Sequence, residues 1–493
     1  MTLTQSTSNA SSSLSTISEQ ISIVSQNIAR VNNTNSTRKV ANLVSGPGGG
    51  VSVAGISRTA NKLLLDTYLN ANANSQTQSV INTALDQLQN TVGDTDSDTS
   101  PAALISKLNT ALQNYSSTPQ NSAVGATVVT AAQELANSLN SATQAVTDVR
   151  NQADSDIATS VANINDLLSQ FQTLNQQVVT GTGNGTDITD VLDARDAVLK
   201  KLSTEIGIRT VNRDNGDMAI YTDSGVTLFD KTARAVTFQQ SANLAANSVG
   251  SPVYADGVPI AGTQHTMSIS SGKLAGLVEI RDTIAPTYQS QLDETARGLI
   301  EAFAETDQSA TPTLPAAAGL FTYGGGPNIP ATGTVVPGLA GSIKINPNVD
   351  PTQGGNVELI RDGAISDPGN SAYTYNTDGG ASYTDRIQQL ISSLAAGRSF
   401  DSSSQIQQTG SVTDYAKSSV SWLEALRQSS SNEAESRQTI ADRASTTLSQ
   451  NTGVNLDEEM TNLLSLERTF QASSQLINTV DNMIQTLLQA ASS

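Results

Sequence analysis

The sequence predicts a mainly α protein with a β-rich middle: an elongated bundle of long N- and C-terminal helices carrying an inserted β-rich domain. Three observations lead there. Apolar residues repeat in heptads at both ends of the chain, a third apolar series runs unbroken for about 60 residues, and between about 206 and 271 the period changes from helical to two. At 493 residues the chain is long enough for about three domains.

The elements follow in order. Leu3, Ala10, Leu14, Ile17, Ile21, Val24, Ile28 and Val31 fall at steps of three and four, with only Thr7 polar in the series, which predicts a helix over the first 31 residues. Its flanks are Ser, Thr, Gln and Asn, so charge does little to select a partner, and the stripe alone makes a marginal helix. Shorter helical runs occupy about 75–92 and 101–115, the second opened by Ser100-Pro101. From Val128 through Leu139, Val149, Ile157, Leu168 and Val178 no helical turn lacks an apolar residue; consecutive steps of four near Val149 to Val161 form a stutter. One helix of about 60 residues measures about 90 Å, so it must pack lengthwise against others. The run GTGNGTD at 181–187 is expected to end it, and a short helix with Val191, Leu199 and Leu202 follows.

Alternation then begins at Ile208, turns at Asn215-Gly216, returns from Met218 to Thr222 and turns again at Ser224-Gly225. Val226 to Phe229, Ala235 to Phe238 and a hairpin at Asp256-Gly257 extend the meander. Leu274, Leu277, Ile280, Ile284, Tyr288, Leu292, Leu299 and Phe303 restore helical spacing on one face despite Pro286. Residues 309–382 read as loops and small β elements, with one strand at Ser342 to Asn346. Helices resume at about 383–396 and 411–450. The last begins behind Gly453, with Asn455 as N-cap and Asp457, Glu458 and Glu459 at the positive end of its dipole. Its stripe is Leu456, Glu459, Leu463, Leu466, Phe470, Ser473, Ile477, Val480, Ile484 and Leu487, and Met460, Leu464, Leu476, Met483 and Leu488 lie beside it. A helix apolar over more than one face needs several neighbours. The two terminal stripes fit either surface helices on a nearby core, or a helical pair or multi-chain bundle.

Composition excludes much chemistry. A net charge of −19 opposes broad contact with nucleic acid or anionic lipid, so neither nucleic acid nor membrane is an expected partner. With no cysteine and one histidine, thiolate catalysis, cysteine zinc sites and multi-histidine metal sites are unavailable. His265 reads as an ordinary strand-edge side chain. The glycine runs at 46–50 and 323–327 lack a Walker Lys-Ser/Thr and a GxGxxG register, and Asp94 to Asp98 lacks the glycine and glutamate of a calcium loop. The sequence thus singles out no catalytic residue, no cofactor and no metal site; a carboxylate pair for glycosidase chemistry stays open, since a separation in space is invisible in the sequence, and nothing singles out such a pair. The N-terminus has no basic region and no continuous apolar segment, so no secretory signal peptide is expected, and no stretch approaches the roughly 20 apolar residues of a membrane helix.

TGVNLDEEMTNLLSLERTFQASSQLINTVDNMIQTLLQA at the C-terminus, with NLDEE, the R-x-[FY]-Q-A-[SN] core at Arg468 to Ser473 and the series from Leu476, resembles the C-terminus of flagellar axial proteins. SQNIARVNNTNSTR at 25–38 is similar to the N-terminal motif of the same class, although Arg30 replaces its second Asn and Asn35-Ser36-Thr37 replaces its Pro-Gly-Tyr. LDARDAVLKKLSTEIGIRTV at 192–211 and GKLAGLVEIRDTIAPTYQSQLDETARGLIEAF at 272–303 resemble the hook-associated members rather than hook, rod or flagellin proteins.

The resemblance implies a structural, non-catalytic protein of the bacterial flagellum, extracellular and located at the hook–filament junction. It implies export through the type III apparatus without a cleaved signal peptide and assembly as a ring of copies on the distal end of the hook. The partners implied are the hook protein, a second hook-associated protein or the filament, and an export chaperone. Its terms divide the chain into an N-terminal axial-core helix (1–40), the first part of a helical rod domain (41–205), a β-rich outer domain (206–271), a rod helix (272–308), an insertion (309–382), the second part of the rod (383–450) and a C-terminal axial-core helix (451–493). Leu14, Ile17, Ile21, Val24, Ile28, Val31, Leu456, Leu463, Leu466, Phe470, Ile477, Val480, Ile484 and Leu487 are the implied assembly interface. The last seven from Leu463 onward are also the implied chaperone-binding residues. A secreted adhesin with a helical stalk, or another axial protein, is the alternative; an adhesin would stay functional after removal of about 1–40 or 451–493.

Overall fold

A computed structural model describes residues 3–46, 49–93, 98–262 and 267–492. Helix α1 (Leu3–Ala29) leads into an antiparallel hairpin of β1 (Lys39–Ser45) and β2 (Val51–Arg58), followed by α2 (Lys62–Val92), α3 (Pro101–Ser117), α4 (Ser122–Asn184) and α5 (Thr189–Glu205). Strands β3 (Ile208–Asn212), β4 (Met218–Thr222), β5 (Thr227–Asp230) and β6 (Thr232–Ala233) form one antiparallel sheet in sequence order. Strands β7 (Val236–Thr237), β8 (Val253–Ala255) and β9 (Val258–Ala261) form another. Helices α6 (Lys273–Glu279) and α7 (Ala285–Ala302) are joined by a π-helical turn at Ile280–Ile284. Strands β10 (Phe321–Thr322) and β11 (Lys344–Ile345) pair; α8 (Leu359–Asp362) and α9 (Asp385–Ala395) follow. The small pair β12 (Arg398–Ser399) and β13 (Thr409–Gly410) precedes α10 (Val412–Thr452) and α11 (Leu456–Ser492).

Local chemistry sets the boundaries. Asn61, Ser100, Asn121 and Ser411 each accept a backbone N–H in the first turn of α2, α3, α4 and α10. Helix α4 has 63 residues, about 95 Å of rod, and packs along its length on α2, α3, α5, α6 and α7. The buried apolar core runs continuously along these helices and the β sheets, from Leu69 in α2 to Leu423 in α10. Fold class and the meander match the sequence expectation.

Several details differ. The segment from 39 to 58, within what reads as the terminal helix and the start of the helical rod, is a hairpin. Helix α2 starts at Lys62, not near 75: Leu63, Leu64, Leu65, Tyr68 and Leu69 open it, and the small residues Ala71, Ala73 and Ser75 that follow are buried, with the Ser75 hydroxyl donating to Gln438 Oε1 of α10 at 2.8 Å. The rod continues through Gly181 and Gly183 and stops at Gly185, whose φ of 68° closes it. The chain absorbs Pro286 through the π turn: the Ala285 N–H reaches back to the Ile280 carbonyl, and the helix resumes in line. Helix α7 is buried almost all round rather than on one face. Residues 309–382 are loops with β10, β11 and short helical turns. His265, Asp94 to Ser97 and two residues of the 46–50 glycine run lie outside the described residues.

Within α7, Asp293 is buried and holds the 338–340 turn, accepting from the Gly338 and Ala340 N–H groups at 2.8 Å each and from Gln289 Nε2 at 2.9 Å. Burial pushes its carboxyl up to about 6 against those hydrogen bonds. The folded chain thus keeps this proton to higher pH than the unfolded chain does. The stability it contributes is full below about 4 and is lost as pH rises through about 6, by about 3 kcal/mol. The difference in melting temperature between wild type and Asp293→Asn is expected to change across pH 4–7 with that sign; a constant difference contradicts it.

Candidate assembly site: the terminal helix pair

Helices α1 and α11 pack on each other, with the end of α1 against the start of α11, so they run antiparallel. On α11 the seam falls at every seventh residue: Glu459, Ser473 and Val480 are buried and Leu466 half-buried. On α1 Ile17, Ile23 and Val24 are buried and Leu14, Ile21 and Ile28 half-buried, as is Val31 in the turn just after it. The N-cap is as expected, Asn455 Oδ1 accepting from the Asp457 N–H at 3.0 Å. The hairpin rests on α1, where Ser12 and Thr16 hydroxyls both donate to the Val51 carbonyl at 2.6 Å.

A polar lock fastens the end of the pair. Asn27 Nδ2 donates to the Lys39 carbonyl at 2.9 Å and to Glu459 Oε2 at 3.1 Å, and its Oδ1 accepts from the Lys39 N–H at 3.0 Å. Arg38 Nε donates to Glu459 Oε1 at 2.6 Å, and its Nη2 lies 3.0 Å from Glu458 Oε1. The Glu459 side chain is 1% exposed. A buried carboxylate is tolerable only with such partners. These residues belong to the two terminal sequence motifs, 25–38 and NLDEE, which lie 432 residues apart at Asn27 and Glu459 and meet here.

The narrow seam leaves much of α11 uncovered. Leu463, Leu466, Ile477 and Ile484 are half-buried, but Leu456, Phe470 and Leu487 of the expected interface face solvent, as do Met460, Leu464, Leu476, Met483 and Leu488. Leu476 is 59% and Leu488 65% exposed. From Thr469 onward α11 contains a single charged residue, Asp481, and α1 a single one, Glu19. Sequence reasoning named the apolar members and missed Asn27, Ile23, Arg38 and Glu459; the available signal was a glutamate inside an apolar stripe. Among the described residues no group of three or more His, Asp or Glu side chains is placed to hold a metal, and no helix is long and apolar enough to cross a membrane.

The antiparallel terminal pair, locked through both end motifs, is similar to the terminal regions of flagellar axial proteins: the family described as flagellar basal body rod FlgEFG protein C-terminal matches residues 449–490. The family described as flagellar hook-associated protein FlgK helical domain matches residues 85–313. Over that stretch the chain is similar to the FlgK hook-associated proteins. It is 23% identical to flagellar hook-associated protein 1 of Bacillus subtilis over 82% of this chain and 79% of that protein. With the protein of the same name from Salmonella typhimurium it is 26% identical over 60% of this chain and 55% of the relative. The structure of the flagellar hook junction protein FlgK from Burkholderia pseudomallei aligns with 52% of this chain and 47% of its own, at 23% identity and a TM-score of 0.43.

Proposed function

We propose that this chain is a structural component of the bacterial flagellum that assembles with copies of itself as a ring on the distal end of the hook and joins hook to filament. The observation that carries the reading is the uncovered apolar surface of α11 on both sides of a narrow intramolecular seam, nearly uncharged from Thr469 onward. Interfaces are depleted of charge at their core, and flanks on both sides of one helix suit a neighbour on each side, the head-to-tail arrangement that closes rings. The eight exposed side chains, already part-covered and so each worth up to about 1.5–3 kcal/mol, supply on the order of 10 kcal/mol before entropy costs.

Leu14, Ile17, Ile21, Val24, Ile28 and Val31 with the α11 stripe form this axial core, and the sheets of 206–271 the outer domain. The same α11 residues, Leu463, Leu466, Phe470, Ile477, Val480, Ile484 and Leu487, serve an export chaperone before assembly, since a stripe needing a partner outside needs one inside the cell too. The chain then leaves through the type III apparatus with its N-terminus uncleaved, meets the hook protein on one side and a second hook-associated protein or the filament on the other, and catalyses no reaction. Electron microscopy of a strain lacking the chain is expected to show bare hooks, with filament protein in the medium. Missing hooks would instead assign it to the rod or hook.

A further inference from the structure

We infer that Met460 and Met483 of α11 are an oxidation-sensitive pair on the assembly face: conversion of their thioethers to sulfoxides by a peroxide keeps the chain from its neighbours until the sulfoxides are reduced. The inference deepens the assembly reading and rests on it. Met218 of β4 is 4% exposed, whereas Met460 and Met483 are 44% and 45% exposed on α11. Met267 is exposed too, but lies outside α11. The chemistry needs only that exposure. The sulfur lone pair attacks one peroxide oxygen and the O–O bond breaks; sulfur keeps that oxygen and is oxidised, while hydrogen peroxide leaves reduced to water. Access does not depend on the α1–α11 pair having formed, since both thioethers are uncovered beside it and no better shielded without it.

Placement gives the modification its effect. The seam of α11 runs through Glu459, Leu466, Ser473 and Val480. At about 100° per residue, Met460 sits about 100° to one side of that seam, and Met483, three residues past Val480, about 60° to the other. Met460 shares its flank with Leu456 and Leu488, and Met483 shares the opposite one with Leu476, one heptad earlier; all three leucines are exposed. A neighbour on each side therefore meets one methionine. A thioether suits such a contact because it is flexible and polarisable. A sulfoxide is polar, and the leucines around it donate no hydrogen bond to its oxygen; burying that oxygen unpaired weakens each contact about tenfold. Lysine and arginine are the side chains that pair best with such an acceptor, and α11 holds a single one, Arg468.

The test uses the purified full-length chain and cells that lack it. After treatment with hydrogen peroxide and removal of the peroxide, mass spectrometry is expected to find sulfoxide at Met460, Met483 and Met267 and an intact thioether at Met218. Chain added to the cells is counted on hook ends by immunogold electron microscopy, each sample scored against its own untreated counterpart. Oxidised wild type is expected to label at least about tenfold fewer hook ends. Reduction by methionine sulfoxide reductases with a thiol restores the labelling. Peroxide-treated Met460→Leu/Met483→Leu, in which Met267 is still oxidised, is expected to keep the labelling of its untreated sample. Oxidised wild type that labels as well as unoxidised overturns the inference and leaves the assembly reading standing. An equal loss in the leucine variant does the same, since the damage then lies elsewhere. Unoxidised wild type that labels no hook end overturns the assembly reading, and the inference falls with it.

Discussion

Arg281→Ala is expected to destabilise the middle of the protein by about 3–5 kcal/mol, the range for removing one partner from a buried ion pair. The Arg281 side chain is fully buried on the π turn. Its Nη1 donates to Asp154 on α4 at 2.6 Å, its Nε and Nη2 to both oxygens of Asp282 at 2.8 Å, and Nη2 also to the Ser251 carbonyl at 2.9 Å. Arg150 completes the joint: its Nε donates to the Arg281 carbonyl at 3.1 Å, its Nη1 to the Ala245 carbonyl at 2.8 Å and its Nη2 to the Ser248 carbonyl at 2.7 Å. Truncation strands two nearly buried carboxylates and takes the donor from the Ser251 carbonyl, while Asp154 still accepts from the Ser241 N–H at 2.7 Å. A melting temperature lowered on the order of 10 °C is expected. A shift within error means the carboxylates find water or other partners.

Glu459→Ala is expected to separate the terminal pair while the rest stays folded. The variant leaves Asn27 without one of its acceptors and Arg38 with only the exposed Glu458, at a cost of about 3 kcal/mol. The pair has little to set against that loss, because Ile17, Ile23, Val24 and Val480 are the only apolar side chains fully buried along it among the described residues. Isolated helices of this uncharged, Ser- and Gln-rich composition are marginal. Amide hydrogen exchange is expected to lose protection throughout 3–29 and 456–492 and to keep it in α4. Glu459→Gln, which retains an oxygen acceptor, is expected to be milder. Protection retained in α11 of the alanine variant would mean that seam packing alone holds the pair.

The long helices were legible because their apolar period is unbroken in α4 and interrupted only at Thr7 in α1 and at Glu459 and Ser473 in α11; each falls where its stripe places it. The hairpin at 39–58 was not, because its strands bury too little to alternate; Val40, Leu43 and Val44 all face solvent. The start of α2 was hidden for the opposite reason. Its apolar opening, Leu63 to Leu69, runs into Ala71, Ala73 and Ser75, which are buried yet carry no large side chain to continue an apolar period. Of the candidate site, the apolar stripe could be read by counting. The lock could not, since nothing local relates Asn27 to Glu459; only folding brings the two motifs together. The π turn was equally unreadable: Pro286 announced a disturbance in the helix without saying how it would be absorbed.

On the proposed function, the apolar face of α11 is surplus to the folded monomer and is covered by neighbours on assembly. Leu476→Asp/Met483→Asp tests it most directly, because both side chains are exposed in the monomer and neither belongs to the lock. The account predicts a purified variant with wild-type helix content and melting temperature, and cells that carry bare hooks and shed filament protein into the medium. Normal filaments on cells producing only this variant would contradict it.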